Sequence, residues 1–545
     1  MNTASLFDSA LAGLHSAQAG MMVTSQNVAG ASVDGYVRRS PLIRNIAMSS
    51  STADPAGSTF AVEGFTRNFN ALLQGQIYSQ TAASAYTKTL ISTVSTLDSI
   101  LVDPTTSIAS AMGSFFNSVG ALANEPDNYA YQMTLLGNAS LLVDRIQGVD
   151  GVLSNIETNA KQGMADVLNE SNALASELAN VNAKIRGAGV PGVGYPTADL
   201  LDERDRLLSR LSELLGGHAI IDGDGTGSFE ISGTFLVNRE IASQFTNASG
   251  SVPITADQDF SGIKIKMAGK LVSTQIETLT TVNQIEVPDE RFAARSIFTS
   301  GKAGAFAHLV NDFVPTMNRV LSVASAMLVH HVNSYSSDAA ASHDPQKAIF
   351  GFLDANGETT FPSLGKVNTD PDDLAALLED GNGNWLSFDQ ILENIASGDA
   401  TTWQALRELG DQIDASRLVS IGKYTDDKFS LLTSALSAPI GRTSDGSVSG
   451  TRSNFLEAER AFFSAPITYI TSSAATTFAT WRSNDTANQT LMSSLNAQKE
   501  SISGVNLDEE AANLVKYQQL YNASSKVIQT SKQMFDTLLA MMSGN

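Results

Sequence analysis

Near the C-terminus, six large apolar residues recur every seven positions without a miss: Leu507, Leu514, Tyr521, Ile528, Phe535 and Met542. Leu520, Val527, Met534 and Met541 each sit one residue before the last four of them. On a helix these two sets form one broad apolar stripe. Asn506 is placed to cap the first free N–H groups, with Glu509 three residues later as in a capping box. Asp508, Glu509 and Glu510 put negative charge where the helix dipole favours it. Neither Gly nor Pro interrupts before Gly544. A helix over 507–542 would be about 54 Å long at ~1.5 Å per residue. Such a stripe is stable in water only if something covers it.

The N-terminus offers a cover. Phe7, Leu14, Met21 and Val28 also recur every seven residues, with Leu11 between them. Ser5 is the expected cap, with Asp8 three residues on. The two helices are therefore expected to pair as a coiled coil over 1–40 and 505–545. A pair alone leaves part of the C-terminal stripe wet, which argues for further copies of the chain as partners.

The chain between these ends is long enough for three or four domains in its 545 residues. Helical spacing dominates from Gln80 to Gly216. Leu90, Val94, Leu97 and Leu101 form one stripe, ended by Asp103-Pro104. Ile108, Met112, Phe115, Phe116 and Val119 form the next, ended by Glu125-Pro126. A long run follows, including Leu168, Leu174, Leu178, Val181 and Ile185. Asp199 to Leu215 reads as a leucine-faced helix, with Asp202 four residues before Arg206 as an expected ion pair. Gly216-Gly217 stops it. From His218 the texture alternates (Phe229, Ile231, Phe235, Val237, then Ile263 to Met267), which predicts half-buried strands. Helical spacing returns over 303–335. Residues 337–424 are turn-rich, and a helix is expected to begin at Pro466. Residues 41–70 read as irregular.

The expected fold is thus mainly α with β insertions. The terminal pair is one unit. Residues 41–216, 298–336 and 425–504 make a helical core. A β-rich insertion spans 217–297, and a second mixed insertion spans 337–424.

Composition restricts function. The net charge of −22 disfavours nucleic acid or an anionic membrane surface as partner. The chain has no cysteine, which removes thiol nucleophiles and thiolate metal sites. No basic start precedes an apolar run in Met1–Ser16, so export would need a route other than a Sec-type signal. Gly187, Gly189 and Gly192 match GxGxxG but follow a helix, with Pro191 inside, so a helix–helix loop is expected rather than a dinucleotide site. Asp222 to Gly227 starts like a calcium loop, yet its twelfth position is Gly233, so a hairpin turn is expected. Asp354, Asn356 and Glu358 also read as a turn. His330 and His331 are adjacent and point about 100° apart on a helix, unlike an i, i+4 metal pair. No catalytic, cofactor or metal site is expected. A secreted hydrolase with its site in 217–424 is the reading from another class.

Three short motifs add identity. Ser503-Gly504-Val505-Asn506-Leu507-Asp508-Glu509-Glu510 resembles the C-terminal signature of bacterial flagellar axial proteins. Asn27-Val28-Ala29 with Gly35-Tyr36-Val37-Arg38 resembles their N-terminal signature, with Val28 where Ile is usual. Asp199-Leu200-Leu201-Asp202-Glu203-Arg204-Asp205 is similar to the junction members of that family, more than to its hook protein or second junction protein. The resemblance implies a motility protein exported by the flagellar type III apparatus with a chaperone. It implies a ring of about eleven copies between hook protein below and second junction protein above. It also implies that Phe7, Leu11, Leu14, Met21, Val28, Leu507, Leu514, Tyr521, Ile528, Phe535 and Met542 are assembly residues.

Overall fold

The computed structural model describes residues 3–33, 35–47, 58–103, 105–188, 197–247, 251–257, 264–267, 270–272, 297–334, 349–353, 359–360, 418–420 and 452–543. Most of them are helical.

Helix α1 (Thr3–Gly30) leads into strands β1 (Arg39–Ala47) and β2 (Ser58–Arg67). These pair antiparallel, with Arg39 opposite Arg67. The expectation of irregular chain over 41–70 is therefore corrected: its apolar residues lie in a hairpin. Much of the Ser/Thr/Gly content that suggested irregularity lies outside the described residues.

Asn70 then starts α2 (Ala71–Val102), its side chain accepting from the Leu72 and Leu73 N–H groups at 3.1 and 3.2 Å. The helix ends before Pro104, as Asp103-Pro104 predicts. Ser107 caps α3 (Ile108–Asn124), and α4 runs from Tyr129 to Ala188. Helix α5 (Thr197–Leu215) turns its leucines inward.

Two apolar cores adjoin along α4. One gathers Leu90, Leu97, Phe115, Leu122, Leu135, Leu142 and Leu153 from α2, α3 and α4. Added to it are α6 (Gly301–His308), α7 (Val314–Ser334) and part of α8 (Arg452–Ser503). A π-helical turn, Leu309–Phe313, separates α6 from α7. It carries Phe313 to the rings of Phe478 and Trp481, with centroids 5.9 and 5.5 Å away. The other core packs α4 and α5 against a sheet, with Leu168, Leu178, Leu207, Leu208 and Leu211 facing Phe229, Val237 and Phe245.

That sheet is a six-stranded antiparallel meander: β3 (His218–Ile221), β4 (Gly227–Ile231), β5 (Thr234–Asn238), β6 (Ile241–Thr246), β7 (Lys264–Met267) and β8 (Lys270–Val272). Its backbone is held to α4 by amide side chains. Asn172 accepts from the Phe245 N–H at 2.7 Å and donates to the Phe245 carbonyl at 2.9 Å. Asn169 does the same with Ile254, and Asn182 with Gly227. Each amide acts as a short stretch of neighbouring strand, satisfying backbone groups that burial would leave unpaired. The loop over 222–227 is the hairpin turn expected, with Asp222 accepting from Ser228 at 2.8 Å.

Within 337–424 the described residues form a three-stranded antiparallel sheet of β9 (Phe350–Leu353), β10 (Thr359–Thr360) and β11 (Leu418–Ser420). Asp354, Asn356, Glu358 and the GxGxxG stretch beyond Ala188 lie outside the described residues, as do the side chains of His330 and His331. Helix α8 passes through Pro466 without a break, correcting the boundary expected there. Ile467, Ile470 and Ala474 are buried just beyond it, and that packing holds the helix across the missing backbone bond. Further on, α8 lies along α2 through a polar ladder. Asn488 meets Gln80, Ala83 and Thr87, and Asp485 accepts from Thr87. The last helix, α9 (Leu507–Ser543), returns to α1.

Candidate assembly interface

Helices α1 and α9 pair antiparallel. Gly13 faces Ser524, Gly20 faces Tyr517 and Asn27 faces Glu510, so each side advances seven residues per step. This is heptad packing, as the repeats predict. The face turned inward is not the one with the largest side chains, however. On α1 the seam follows Ala10, Gly13, Ala17, Gly20, Thr24 and Asn27, alternating three and four residues apart. Among the described side chains of α9, Glu510, Ser524 and Ser531 are buried.

Small residues let the two backbones approach closely. A methyl at Gly13 would stand 2.7 Å from the Ser524 hydroxyl, and one at Gly20 would stand 2.4 Å from carbons of the Tyr517 ring. Burial pushes the Tyr517 hydroxyl pKa upward. Hairpin β1–β2 lies on another side of α1.

The stripe read from the sequence therefore flanks the seam. Leu14, Met21, Tyr521 and Ile528 are half-buried. Phe7, Leu11, Val28, Leu507, Leu514 and Phe535 are exposed, Leu507 and Phe535 each by 54%. The side chain of Met542 is outside the described residues. Met22, Val515, Leu520, Val527, Met534 and Leu539 are exposed as well. Scattered apolar residues on a surface are ordinary, whereas a dozen along one helix pair mark an interaction face.

A polar clasp closes the inner end of this pair. Asn27, only 1% exposed, donates to the Arg39 carbonyl at 3.0 Å and accepts from the Arg39 N–H at 3.0 Å. It also donates to Glu510 and accepts from the Tyr36 hydroxyl. Arg38 grips Glu509 through both terminal nitrogens, at 3.1 and 2.8 Å, and Glu510 through Nε at 2.8 Å. Such charge-assisted, forked contacts are directional. Asn506 caps α9 as expected, accepting from Asp508 at 3.0 Å. Glu509 turns to Arg38, whereas a capping box would have it reach back to Asn506.

Adjacent residues on an extended strand point opposite ways. Thus Arg38 faces α9 while Arg39 faces α5. Arg39 contacts Asp199 at 2.5 Å and Asp202 at 2.8 Å. Its cross-strand neighbour Arg67 contacts Asp202 at 2.8 Å and Asp205 at 2.6 Å. Arg204 also bonds Asp205, at 2.6 Å. Burial drives the Asp202 carboxyl above its usual pKa, against the opposing pull of Arg67 and Arg39. The buried Tyr78 hydroxyl, beside Asp205, is likewise pushed up.

The ion pair expected between Asp202 and Arg206 is corrected. Arg206 pairs with Glu203 at 2.5 Å, because Asp202 faces the hairpin and Arg206 faces solvent. The hairpin, read as irregular, was the missing partner. A pair of arginines flanking its apolar run was the available signal.

The three motifs quoted from the sequence thus meet at one place in space. The comparisons agree with them. Residues 94–350 match the flagellar hook-associated protein FlgK helical domain, and residues 498–541 match the C-terminal segment of the flagellar basal body rod FlgEFG proteins. Flagellar hook-associated protein 1 of Salmonella typhimurium is 24% identical, over 98% of this chain and 99% of its own length. This family is matched, at low identity, along nearly the whole chain.

Its members of the same name in Escherichia coli and Bacillus subtilis are 23% and 21% identical, covering 98% and 96% of this chain and 99% and 96% of their own lengths. The flagellar hook junction protein FlgK of Burkholderia pseudomallei is similar in structure over 51% of this chain and 46% of its own, with a TM-score of 0.39 and 22% identity. Among the described residues, no group of three or more His, Asp or Glu is arranged to hold a metal, and no helix is long and apolar enough to cross a membrane.

Proposed function

We propose that this chain is a structural, non-catalytic subunit of the bacterial flagellum, forming the layer that joins hook to filament. The observation that carries the reading is the outward apolar surface of the α1–α9 pair on an otherwise self-sufficient body. In this reading Phe7, Leu11, Leu14, Met21 and Val28 of α1 are assembly residues. So are Leu507, Leu514, Tyr521, Ile528, Phe535 and Met542 of α9. Each large residue covered by a neighbouring copy contributes about 1.5–3 kcal/mol. About eleven copies close a ring, with hook protein on one side and the second junction protein on the other. The chain leaves the cell with a dedicated chaperone and takes its place outside.

The test replaces two exposed residues, Val527→Asp with Phe535→Asp, in cells that carry only the variant. Both are exposed at the margin of the intrachain seam, so the purified variant should still melt close to the parent. Motility and filament attachment should be lost, with filament subunits shed into the medium. Motile cells with normal filaments would refute the reading.

A further inference from the structure

We propose that the base of hairpin β1–β2 is a two-register joint, in which Arg39 and Arg67 exchange partners along a ladder of three aspartates on α5. The ladder is Asp199, Asp202 and Asp205, spaced three residues apart. Two arginines face these three carboxylates, and Asp202 is shared by both. One register pairs Arg39 with Asp199 and Arg67 with Asp202. The other pairs Arg39 with Asp202 and Arg67 with Asp205. Each keeps two ion pairs, and the carboxylate it releases is either Asp205, still held by Arg204, or Asp199, which is exposed to water.

The structure stands between them, with all four contacts within 2.5–2.8 Å. That midpoint leaves bonding capacity unused. The Nε atoms of Arg39 and Arg67 are buried with no hydrogen-bond partner, and the Arg67 contact to Asp202 Oδ1 lacks hydrogen-bond alignment. Buried donors left unmade are costly, so a hairpin shifted towards either end gains what the midpoint lacks.

The surroundings permit the exchange. The Arg39 guanidinium lies over the Tyr36 ring, 4.8 Å from its centroid, and that of Arg67 over Phe69 at 5.0 Å. Aromatic faces hold a cation without fixing which carboxylate it meets. Successive aspartates are offset by about 4.5 Å along the α5 axis and roughly 60° around it. Exchange therefore tilts the hairpin as well as moving it. Asn27 bonds both backbone groups of Arg39, so α1 and the α9 paired to it follow. The joint gives the terminal pair two discrete inclinations to the body.

The test needs only the purified full chain, so it is independent of the flagellar reading. The chain has no cysteine. Thr66→Cys on the hairpin and Asn180→Cys on α4 are both exposed and take spin labels cleanly. Pulsed dipolar spectroscopy then reads the hairpin position. Asp199→Asn removes one end of the ladder, and the distance distribution should move by a few ångströms towards the Asp205 end. Asp199→Glu, which keeps a carboxylate, should restore the parent distribution. Circular dichroism of each variant confirms that it is folded. A distribution that Asp199→Asn leaves unmoved overturns the joint.

Discussion

The helical body and the terminal helix pair use the same residue period to opposite ends. In the body, large residues at helical spacing point inward: Leu90, Leu97, Phe115, Leu122 and Leu142 are almost wholly buried. In the terminal pair the inward positions are mostly Ala, Gly, Ser and Thr, and the large apolar residues flank them, half-buried or in water. The body therefore completes its own core. The pair closes backbone to backbone through its seam and leaves its apolar surface for another molecule. An apolar repeat establishes that a helix forms and has a sticky face. It does not say whether that face is satisfied within the chain.

The contrast is broken or sharpened by graded changes. Removing residues 507–545 should abolish attachment to the axial structure while the body still melts cooperatively. Attachment by the truncated chain would show that the pair is dispensable. Within the body, Leu142→Ala should lower stability by about 3–5 kcal/mol, because a buried side chain is lost and a cavity left. In the isolated chain Leu539→Ala should stay within about 0.5 kcal/mol, as its side chain is exposed. Chemical denaturation of the two variants, side by side, measures this difference. Equal losses would mean that Leu539 is buried in solution.

At the joint between the two regions, Arg67→Met should cost about 1–3 kcal/mol, since Asp202 and Asp205 each lose one of two partners and keep Arg39 and Arg204. In the seam, Gly20→Ala forces the Tyr517 ring aside, for about 1–3 kcal/mol. Proteolysis in α1 should rise while the melt of the body is unchanged. If the body melts earlier instead, the two regions are more tightly coupled than their packing implies.

The smallest effect is electrostatic. Burial pushes the Glu213 carboxyl up, but hydrogen bonds from Lys302 and Arg210 outweigh it and hold the pKa below the ordinary value. A carboxyl depressed in the folded state stabilises above its unfolded pKa and loses that contribution as pH falls through the folded one. Glu213→Gln should therefore lose less melting temperature than the parent as pH falls from the ordinary glutamate range to below it. This should appear in the body alone.

Much of the fold was legible because local rules agreed with it. Pro104, Pro126 and Gly216 end helices where backbone sterics require. Alternation after His218 marks the meander, and Asn506 caps the last helix. Pro466 and the hairpin after Arg39 were not legible, because packing at Ile467 and Ile470, and pairing between strands ten or more residues apart, overrode the local signals. The Asp199–Asp205 motif could be seen as special before its partners could be named. Arg39 and Arg67 are more than a hundred residues away, and only the folded chain brings them to α5.

The sequence by itself determined that both ends are heptad helices with an apolar surface, since a seven-residue period has one helical reading. Only the tertiary structure decided which side of those helices faces inward. Close backbone approach across Gly13 and Gly20 outweighs the covering of bulkier residues by a single partner helix, so the small face closes and the large one waits for neighbours.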